Sequence, residues 1–226
     1  MLPHTRLLED DHVQFLCVHC YFLIGDMSLS FIFKGEFMKE LEERIRKDGQ
    51  ILPGEVLKVG KFLNQQIDTS LLNNMADETV RLFSGINITK VLTIEASGLP
   101  FATAVAIKLN VPMVFAKKTL TSNVSGDIYT ADVYSYTHQK MNVISVTKAY
   151  LNSDDQVLIC DDFLAKGNAL KGLIEIVEKA GAKVVGAAIE IEKYYQGGGN
   201  ELRSKGYKIE SLASITKMTD SEIEFN

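Results

Sequence analysis

The 226-residue sequence has no tryptophan, only three cysteines and four prolines, and no apolar run long enough to cross a bilayer. Three cysteines cannot form the disulfide framework of a small secreted domain, and free thiols suit a reducing compartment, so we predict a cytoplasmic protein. The most apolar stretch, from Phe15 to Gly25, is interrupted by His19 and is too short for a membrane span. The acidic residues 9–11 that precede it are unlike the basic start of a secretory signal.

Positive charge is also scarce, because 24 lysines and arginines face 29 acidic residues and leave a net charge of −5. A broad nucleic-acid-binding surface needs clustered positive charge, so we predict no nucleic-acid partner. A local basic pocket for phosphates stays compatible with this balance. The length suits one sizeable α/β core and is short for two.

Residues 1–37 differ in character from the rest of the chain. They contain side chains of metal-binding type, namely His12, Cys17, His19 and Cys20. No second ligand pair follows at zinc-site spacing, so we do not predict a metal there. Met38 begins an amphipathic helix that stops at Gly49. Our hypothesis is that Met38 is the natural start, that residues 1–37 are a non-native or disordered extension, and that residues 38–226 form the folded domain.

From Met38 onward, short apolar strands alternate with helices. Asp68 is placed to cap one helix, and Pro100 suits the first turn of another that runs to Leu109. A further helix is predicted from Asn168 to Ala180, ending at Gly181. Strands are predicted at 91–94, 111–116, 143–146, 157–160, 184–191 and 207–215. This alternation predicts an α/β fold with a central, mostly parallel sheet flanked by helices, and ligands bound beyond the carboxyl ends of the strands.

The strand predicted at 157–160 runs directly into Asp161 and Asp162. Because adjacent strand residues point to opposite faces, two carboxylates converge on one ligand only where a strand is ending. The small residues in 163–169 let backbone N–H groups approach a phosphate at the start of the next helix. The segment therefore indicates a sugar-phosphate site, and the alternative is a turn in which the aspartates only cap that helix. Neither G-x-G-x-x-G nor a Walker loop is present.

Residues 157–167 resemble the phosphoribosyl-pyrophosphate (PRPP) motif of type I phosphoribosyltransferases. The resemblance implies that Asp161 and Asp162 are the catalytic acidic pair and meet the ribose hydroxyls. It also implies a loop that holds the 5′-phosphate, formed by Ala165, Lys166, Gly167, Asn168 and Ala169. The sequence departs from the family at Lys166, where threonine or asparagine is usual. Backbone donors survive this change and a positive charge is gained, so we expect phosphate binding to persist.

Further stretches, at 56–68, 93–98, 115–118, 130–137 and 191–193, narrow the resemblance to the branch of this family that acts on xanthine. The implied xanthine-binding residues are Leu57 and Asn64, from a small N-terminal hood, and Lys193. The implied pyrophosphate residues are Ser97, Gly98, Lys117 and Lys118. The polar, weakly alternating stretch 119–140 is compatible with a long hairpin or a mobile loop. The resemblance implies that it is a flexible lid carrying Tyr134 and Ser135, with His138 on its surface. Without the resemblance, Lys193 is an ordinary surface lysine paired with Glu190 or Glu192, and the two other lysines are simply solvated.

The activity implied is transfer of the 5-phosphoribosyl group from PRPP to xanthine with release of diphosphate. Mg²⁺ is implied to bridge the substrate's oxygens without direct protein ligands. A homodimer is implied by the resemblance alone, and no membrane partner is expected. Two alternatives stay open: an enzyme acting on hypoxanthine or guanine, and a non-catalytic PRPP-sensing transcription regulator. Gly197-Gly198-Gly199 lacks the strand and the lysine or serine of a phosphate loop, and we predict a flexible turn there.

Overall fold

The computed structural model describes residues 39–118, 126–135 and 140–226. The predicted extension at 1–37, including its cysteines and histidines, lies outside these ranges, as do Met38, His138 and parts of the predicted lid. The elements in chain order are α1 (39–48), β1 (Gln50–Leu52), β2 (Val56–Lys58), α2 (Thr69–Leu82), β3 (Lys90–Ile94), α3 (Leu99–Leu109), β4 (Met113–Ala116), β5 (Ile128–Ser135), β6 (Lys140–Thr147), β7 (Gln156–Leu164), α4 (Asn168–Lys179), β8 (Lys183–Lys193), α5 (Gly198–Ser204), β9 (Ile209–Met218) and β10 (Ile223–Phe225).

A six-stranded sheet in the order β10-β9-β8-β7-β3-β4 forms the centre of the described chain. Every pairing in it is parallel except that of β10 with β9. The predicted mostly parallel α/β fold is therefore confirmed. Because β3, β4, β7 and β8 are mutually parallel, their carboxyl ends lie at the same edge of the sheet.

Both faces of the sheet are covered, as expected for buried parallel strands. On one face, Leu158 and Cys160 of β7 pack in a core built largely from α1, α2 and α3. On the other face, Val157 and Ile159 pack in a second core that includes α4 and the β5–β6 hairpin. The alternation of β7 side chains between the two cores is the period of two that a strand requires.

The predicted helix signals are largely confirmed. The Asp68 carboxylate accepts hydrogen bonds from the backbone N–H groups of Ser70 and Leu71, at 3.2 Å each, and so caps α2. Pro100 lies in the first turn of α3, where its missing N–H leaves no hydrogen bond unmade. α4 ends before Gly181, close to the predicted position.

The strand predicted at 143–146 does not join the central sheet. It is part of β6, which pairs antiparallel with β5 in a separate two-stranded sheet. An isolated bridge between Lys117 and Ser145 connects this hairpin to the end of β4. Its inner face packs on α4 at Gly172, where an added Cβ would lie 2.4 Å from Val133 Cγ2. The described part of the predicted lid is thus a hairpin anchored on α4.

Candidate functional site

The acidic pair lies inside β7 and not after it, so the predicted end of this strand at Cys160 is wrong. Pairing with β8 continues from Asp161, opposite Ile189, to Leu164, opposite Glu192. Pairing with β3 extends only as far as Ile159. The two carboxylates therefore lie where β7 has lost one neighbouring strand and kept the other, which opens space for a ligand on one side.

Asp161 is almost completely buried, with 4% of its surface exposed, whereas Asp162 is half-buried. Asp161 Oδ1 accepts a hydrogen bond from the backbone N–H of Asp162 at 3.0 Å. Burial, followed by the charge of Asp162, holds the pKa of Asp161 well above its ordinary value, and the positive charge of Lys118 acts in the opposite direction. The pair is therefore an electrostatically strained site in the unliganded protein.

A third carboxylate, Glu190 on β8, belongs to the same electrostatic cluster. Glu190 is 2% exposed, and its Oε2 atom has no hydrogen-bond partner among the described residues. Burial raises its pKa well above the ordinary value, and the charges of Asp162 and Asp161 raise it further. Sequence reasoning considered Glu190 only as a partner for Lys193. The available signal was a carboxylate interrupting an otherwise apolar strand.

The turn after β3 brings Gly98 against the acidic pair. A Cβ built on Gly98 would lie 2.6 Å from Thr93 Oγ1 and 3.0 Å from Asp161 Oδ1, so only glycine fits without a shift. Ser97 is half-buried in the same turn, which contains a cis peptide bond between Glu95 and Ala96. The predicted pyrophosphate turn and the predicted ribose site are therefore adjacent.

Lys117 and Lys118 follow β4 at the same edge of the sheet, and both are exposed. The backbone of Lys117 exchanges two hydrogen bonds of 2.9 Å with Ser145. The Lys118 N–H donates to Glu95 Oε1 at 2.7 Å. These bonds fix the main chain of both lysines beside the Glu95–Gly98 turn, and both side chains are exposed.

The predicted phosphate loop connects β7 to α4. Gly167 is the N-terminal cap of α4 and has φ +79°, a conformation that L residues rarely adopt. Asn168 and Ala169, the first residues of α4, are half-buried, whereas Lys166 is exposed and points its charge away from the core. Asn168 Nδ2 donates to the Tyr134 carbonyl at 3.1 Å, which links the loop to the β5–β6 hairpin.

The prediction of a flexible turn at Gly197–199 is wrong. Gly197 precedes α5, and both Gly198 and Gly199 are buried residues of that helix. The Gly198 N–H donates to the Ala165 carbonyl of the phosphate loop at 3.1 Å. The glycine run therefore packs directly behind the loop, a contact between segments about thirty positions apart in the sequence.

Lys193 ends β8 and contacts the hood, which is the β1–β2 hairpin and the π-helical turn Gly60–Asn64 that follows it. Lys193 Nζ donates to the Glu55 carbonyl in the β1–β2 turn. The alternative pairing of Lys193 with Glu190 or Glu192 is wrong. Burial lowers the pKa of Lys193, and the charge of Glu55 acts against this shift.

The two hood residues predicted to bind a base have different environments. Leu57 lies in β2 and is 7% exposed, whereas Asn64 ends the π-helical turn and is half-buried. Gln196 Nε2 reaches the same hood turn and donates to Glu55 Oε2 at 2.7 Å. The end of β8 is thus held against the hood at two points.

Residues 59–217 match the family model of the phosphoribosyl transferase domain. The chain therefore belongs to the phosphoribosyltransferase family, and it has the fold that the resemblance implied. No helix in the described parts of the chain is long and apolar enough to cross a membrane.

Within that family, this chain is similar to proteins named xanthine phosphoribosyltransferase. The protein from Lactobacillus delbrueckii subsp. bulgaricus is 50% identical over 189 residues, which cover 84% of this chain and 100% of that one. The protein from Heliobacterium modesticaldum is 50% identical over 188 residues, covering 83% and 100%. Among solved structures, adenine phosphoribosyltransferase from Thermoanaerobacter pseudethanolicus aligns with a TM-score of 0.65 and 21% identity, over 78% of this chain and 99% of that one, and shares the fold.

Proposed function

We propose that this protein transfers the 5-phosphoribosyl group of PRPP to xanthine, forming xanthosine 5′-monophosphate and diphosphate in purine salvage. The observation that carries the proposal is the convergence of three separate segments at one edge of the sheet. The acidic pair of β7, the glycine turn before α3 and the amino end of α4 meet where parallel α/β sheets bind ligands. The 50% identity to xanthine phosphoribosyltransferases over their whole length supports the choice of base.

The two ends of PRPP match two groups of anion-binding residues. Main-chain N–H groups of Ala165–169, at the amino end of α4, suit the 5′-phosphate. Ser97 and Gly98 in the other turn, together with the ammonium groups of Lys117 and Lys118, suit the diphosphate. Between them, Asp161 and Asp162 accept hydrogen bonds from the ribose hydroxyls. Departure of diphosphate leaves positive charge on the sugar, so fixed charges and alignment supply most of the catalysis.

The acidic cluster also fits Mg²⁺, a hard cation that prefers oxygen ligands. Asp161, Asp162 and Glu190 concentrate negative charge at this edge, and the raised pKa values of Asp161 and Glu190 reflect uncompensated burial. The described residues contain no group of three or more acidic, histidine or cysteine side chains arranged to hold a metal by themselves. We propose that Mg²⁺ would be held mainly by oxygens of PRPP beside Asp161 and Asp162, and that it would supply positive charge next to the diphosphate.

Lys193 is the proposed determinant of base choice. Its half-buried ammonium group can donate to a purine carbonyl, whereas the amino group of adenine would leave it without an acceptor. Asn64 can both donate and accept, which suits the second carbonyl and adjacent N–H of xanthine. Leu57 supplies apolar contact from the hood. These assignments favour an oxopurine, and Asn64 favours xanthine among oxopurines.

The proposed lid is the segment 119–140, whose described part lies mainly in β5. The hydrogen bond from Asn168 Nδ2 to the Tyr134 carbonyl joins β5 to the phosphate loop. We assign Tyr134 and Ser135, at the end of β5, to this lid. Closure would keep water from the activated sugar.

The proposal extends to a cytoplasmic homodimer. Phe115 of β4 and Tyr150, which follows β6, are 39% and 62% exposed. Both line one surface cavity between the central sheet and the hairpin. Exposed apolar side chains gathered at one place indicate a contact surface. Cys160 is a free, buried thiol, which accords with a reducing compartment.

The deciding experiment compares turnover of xanthine, hypoxanthine, guanine and adenine with PRPP and Mg²⁺. We expect xanthine to give the highest kcat/KM, and preference for another base would contradict the specificity assignment.

Asp162→Asn should lower kcat by about 100-fold or more, because a charge that contacts the ribose is lost. Wild-type turnover in that variant would contradict the role of the acidic pair. Specific, salt-dependent DNA binding without turnover would favour a regulator instead.

A further inference from the structure

We infer that Glu192, Gly198, Gly199 and Arg203 form a backing unit that sets the shape of the phosphate loop from the side opposite the ligand. None of the four belongs to the predicted site. The inference deepens the proposed function and rests on it, because it assigns residues that position the PRPP-binding main chain.

The contact between the backing unit and the loop is main chain against main chain. Besides the 3.1 Å bond from the Gly198 N–H to the Ala165 carbonyl, a Cβ added to Gly198 would lie 2.4 Å from Ala165 O, 2.4 Å from the carbonyl carbon of Lys166 and 2.6 Å from Gly167 N. These atoms cannot move aside as a flexible side chain could. Any side chain at position 198 must therefore displace the loop or α5.

An ion pair between the buried Glu192 and the half-buried Arg203 holds α5 in this position. Glu192 is 1% exposed and accepts two hydrogen bonds from Arg203, from Nη1 at 2.8 Å and from Nη2 at 2.6 Å. Arg203 Nε also donates to the Ile209 carbonyl at 3.2 Å, and Ser211 Oγ donates to Glu192. The pair thus ties α5 to both β8 and β9. A bidentate pair of this kind fixes direction as well as distance.

Gly199 allows the ion pair and the loop contact to exist together. A Cβ at this position would lie 2.0 Å from Glu192 Oε1 and 2.7 Å from Arg203 Nη1. Glycine at 199 lets the carboxylate pass beside the helix, and glycine at 198 lets the helix reach the loop. Contacts therefore connect Glu192 to α5, and α5 to the main chain of Ala165–167.

The expected role is positioning, because Arg203 already uses its guanidinium on Glu192 and Ile209. A phosphate held by backbone N–H groups depends on the direction of each N–H, and misplacement by about 1 Å costs up to about 100-fold in rate. Loss of the backing unit should therefore weaken the binding of PRPP more than the binding of xanthine. Glu192 itself is a poor test, since it adjoins Lys193, so Gly198 and Arg203 are the informative positions.

The experiment compares Gly198→Ala, Arg203→Met and Arg203→Lys with wild type by steady-state kinetics and thermal unfolding. Gly198→Ala and Arg203→Met should raise the KM for PRPP about tenfold or more and leave the KM for xanthine within about twofold. Arg203→Lys keeps the charge and should recover part of the loss. The matched control is Lys205→Met, directly after α5, because Lys205 is exposed and, among the described residues, forms its ion pair with Glu201 of α5. It should match wild type.

A purely structural role would lower the melting temperature and the fraction of active enzyme without moving the KM for PRPP, and that result overturns the inference. If Gly198→Ala does not fold, the two Arg203 variants decide the question by the same KM comparison. Absence of PRPP-dependent turnover in the wild type contradicts the proposed function instead. In that case, calorimetric titration with ribose 5-phosphate tests the inference. Equal affinities of the wild type and Arg203→Met for ribose 5-phosphate would overturn it.

Discussion

Replacing Asp161 by asparagine should stabilise the fold and remove most of the turnover. The side chain is 4% exposed, and burial together with the charge of Asp162 raises its pKa. Asparagine has nearly the same shape, and its carbonyl oxygen can accept the 3.0 Å hydrogen bond from the Asp162 N–H. The substitution therefore removes the charge and keeps the packing and the known hydrogen bond.

The size of the effect follows from what burial of a charge costs. Replacing a buried ion pair by neutral residues of similar volume is often neutral or stabilises a protein by about 1–4 kcal/mol, and we expect a gain within this range for Asp161→Asn. For a protein of this length, 1 kcal/mol corresponds to roughly 2–4 °C in melting temperature. We therefore expect Asp161→Asn to melt at least about 2 °C above the wild type at pH 8. Its kcat should be lower by about 100-fold or more, because the carboxylate proposed to contact the ribose is lost.

The gain in stability from Asp161→Asn should increase as pH rises. Below the ordinary pKa of aspartate, Asp161 is protonated in both the folded and the unfolded wild type. The wild type and the Asp161→Asn variant should therefore have similar stability at that pH. As pH rises toward the raised pKa of the folded state, the unfolded wild type loses its proton first, and the wild type loses stability relative to the variant. Above the folded-state pKa the difference should be constant.

Thermal unfolding of both proteins from pH 4 to pH 8, without ligands, measures this difference. The control is Asp154→Asn, an exposed aspartate just before β7, which should change stability by less than about 0.5 kcal/mol. A variant that melts below the wild type at pH 8, or a difference that does not grow with pH, would refute the assignment of Asp161 as a strained, functional carboxylate.

Two further predictions concern the base and the oligomer. Lys193→Met should raise the KM for xanthine by about 10–100-fold, the cost of a lost charged hydrogen bond, with little change in the KM for PRPP. Steady-state kinetics with each substrate varied checks this, and an unchanged KM for xanthine contradicts the role of Lys193. Tyr150→Glu should convert a dimer into a monomer by placing charge on the exposed apolar surface. Sedimentation equilibrium measures the molecular mass of the wild type and of Tyr150→Glu. A wild type with the mass of one chain contradicts the homodimer.

Features that depend on neighbours in the sequence were predictable. An apolar run, the Asp161-Asp162 pair, a glycine loop and an amphipathic helix follow one another in the sequence. This order predicted a strand and α4, both confirmed, because each signal acts over a few residues. The site predicted between them stays a prediction. The Asp68 cap depends on N–H groups two and three positions away. The mostly parallel sheet followed from the alternation of such local elements.

Features that depend on distant partners were not predictable in the same way. β7 continues past Cys160 because β8, about thirty residues later, supplies hydrogen-bond partners as far as Glu192. The glycine run at 197–199 suggested a flexible turn. Glycine is needed at position 198 for a different reason, because the main chain of Ala165–167 leaves no space there for a side chain. The strand in 143–146 was recognisable by its composition, whereas its membership of a separate hairpin depends on pairing with β5.

The distribution of charge at the sheet edge explains why these elements make one site. Negative charge lies on adjacent strands, at Asp161 and Asp162 of β7 and Glu190 of β8, where burial makes it unfavourable in the absence of a ligand. Positive charge and free N–H groups lie to either side, at Lys117 and Lys118 and at the amino end of α4. A ligand with hydroxyls in its middle and phosphates at both ends matches this order, whereas a ligand with its phosphates gathered at one end would bring a phosphate onto the carboxylates. We therefore expect the arrangement to favour the two-ended shape of PRPP by repulsion as well as by attraction.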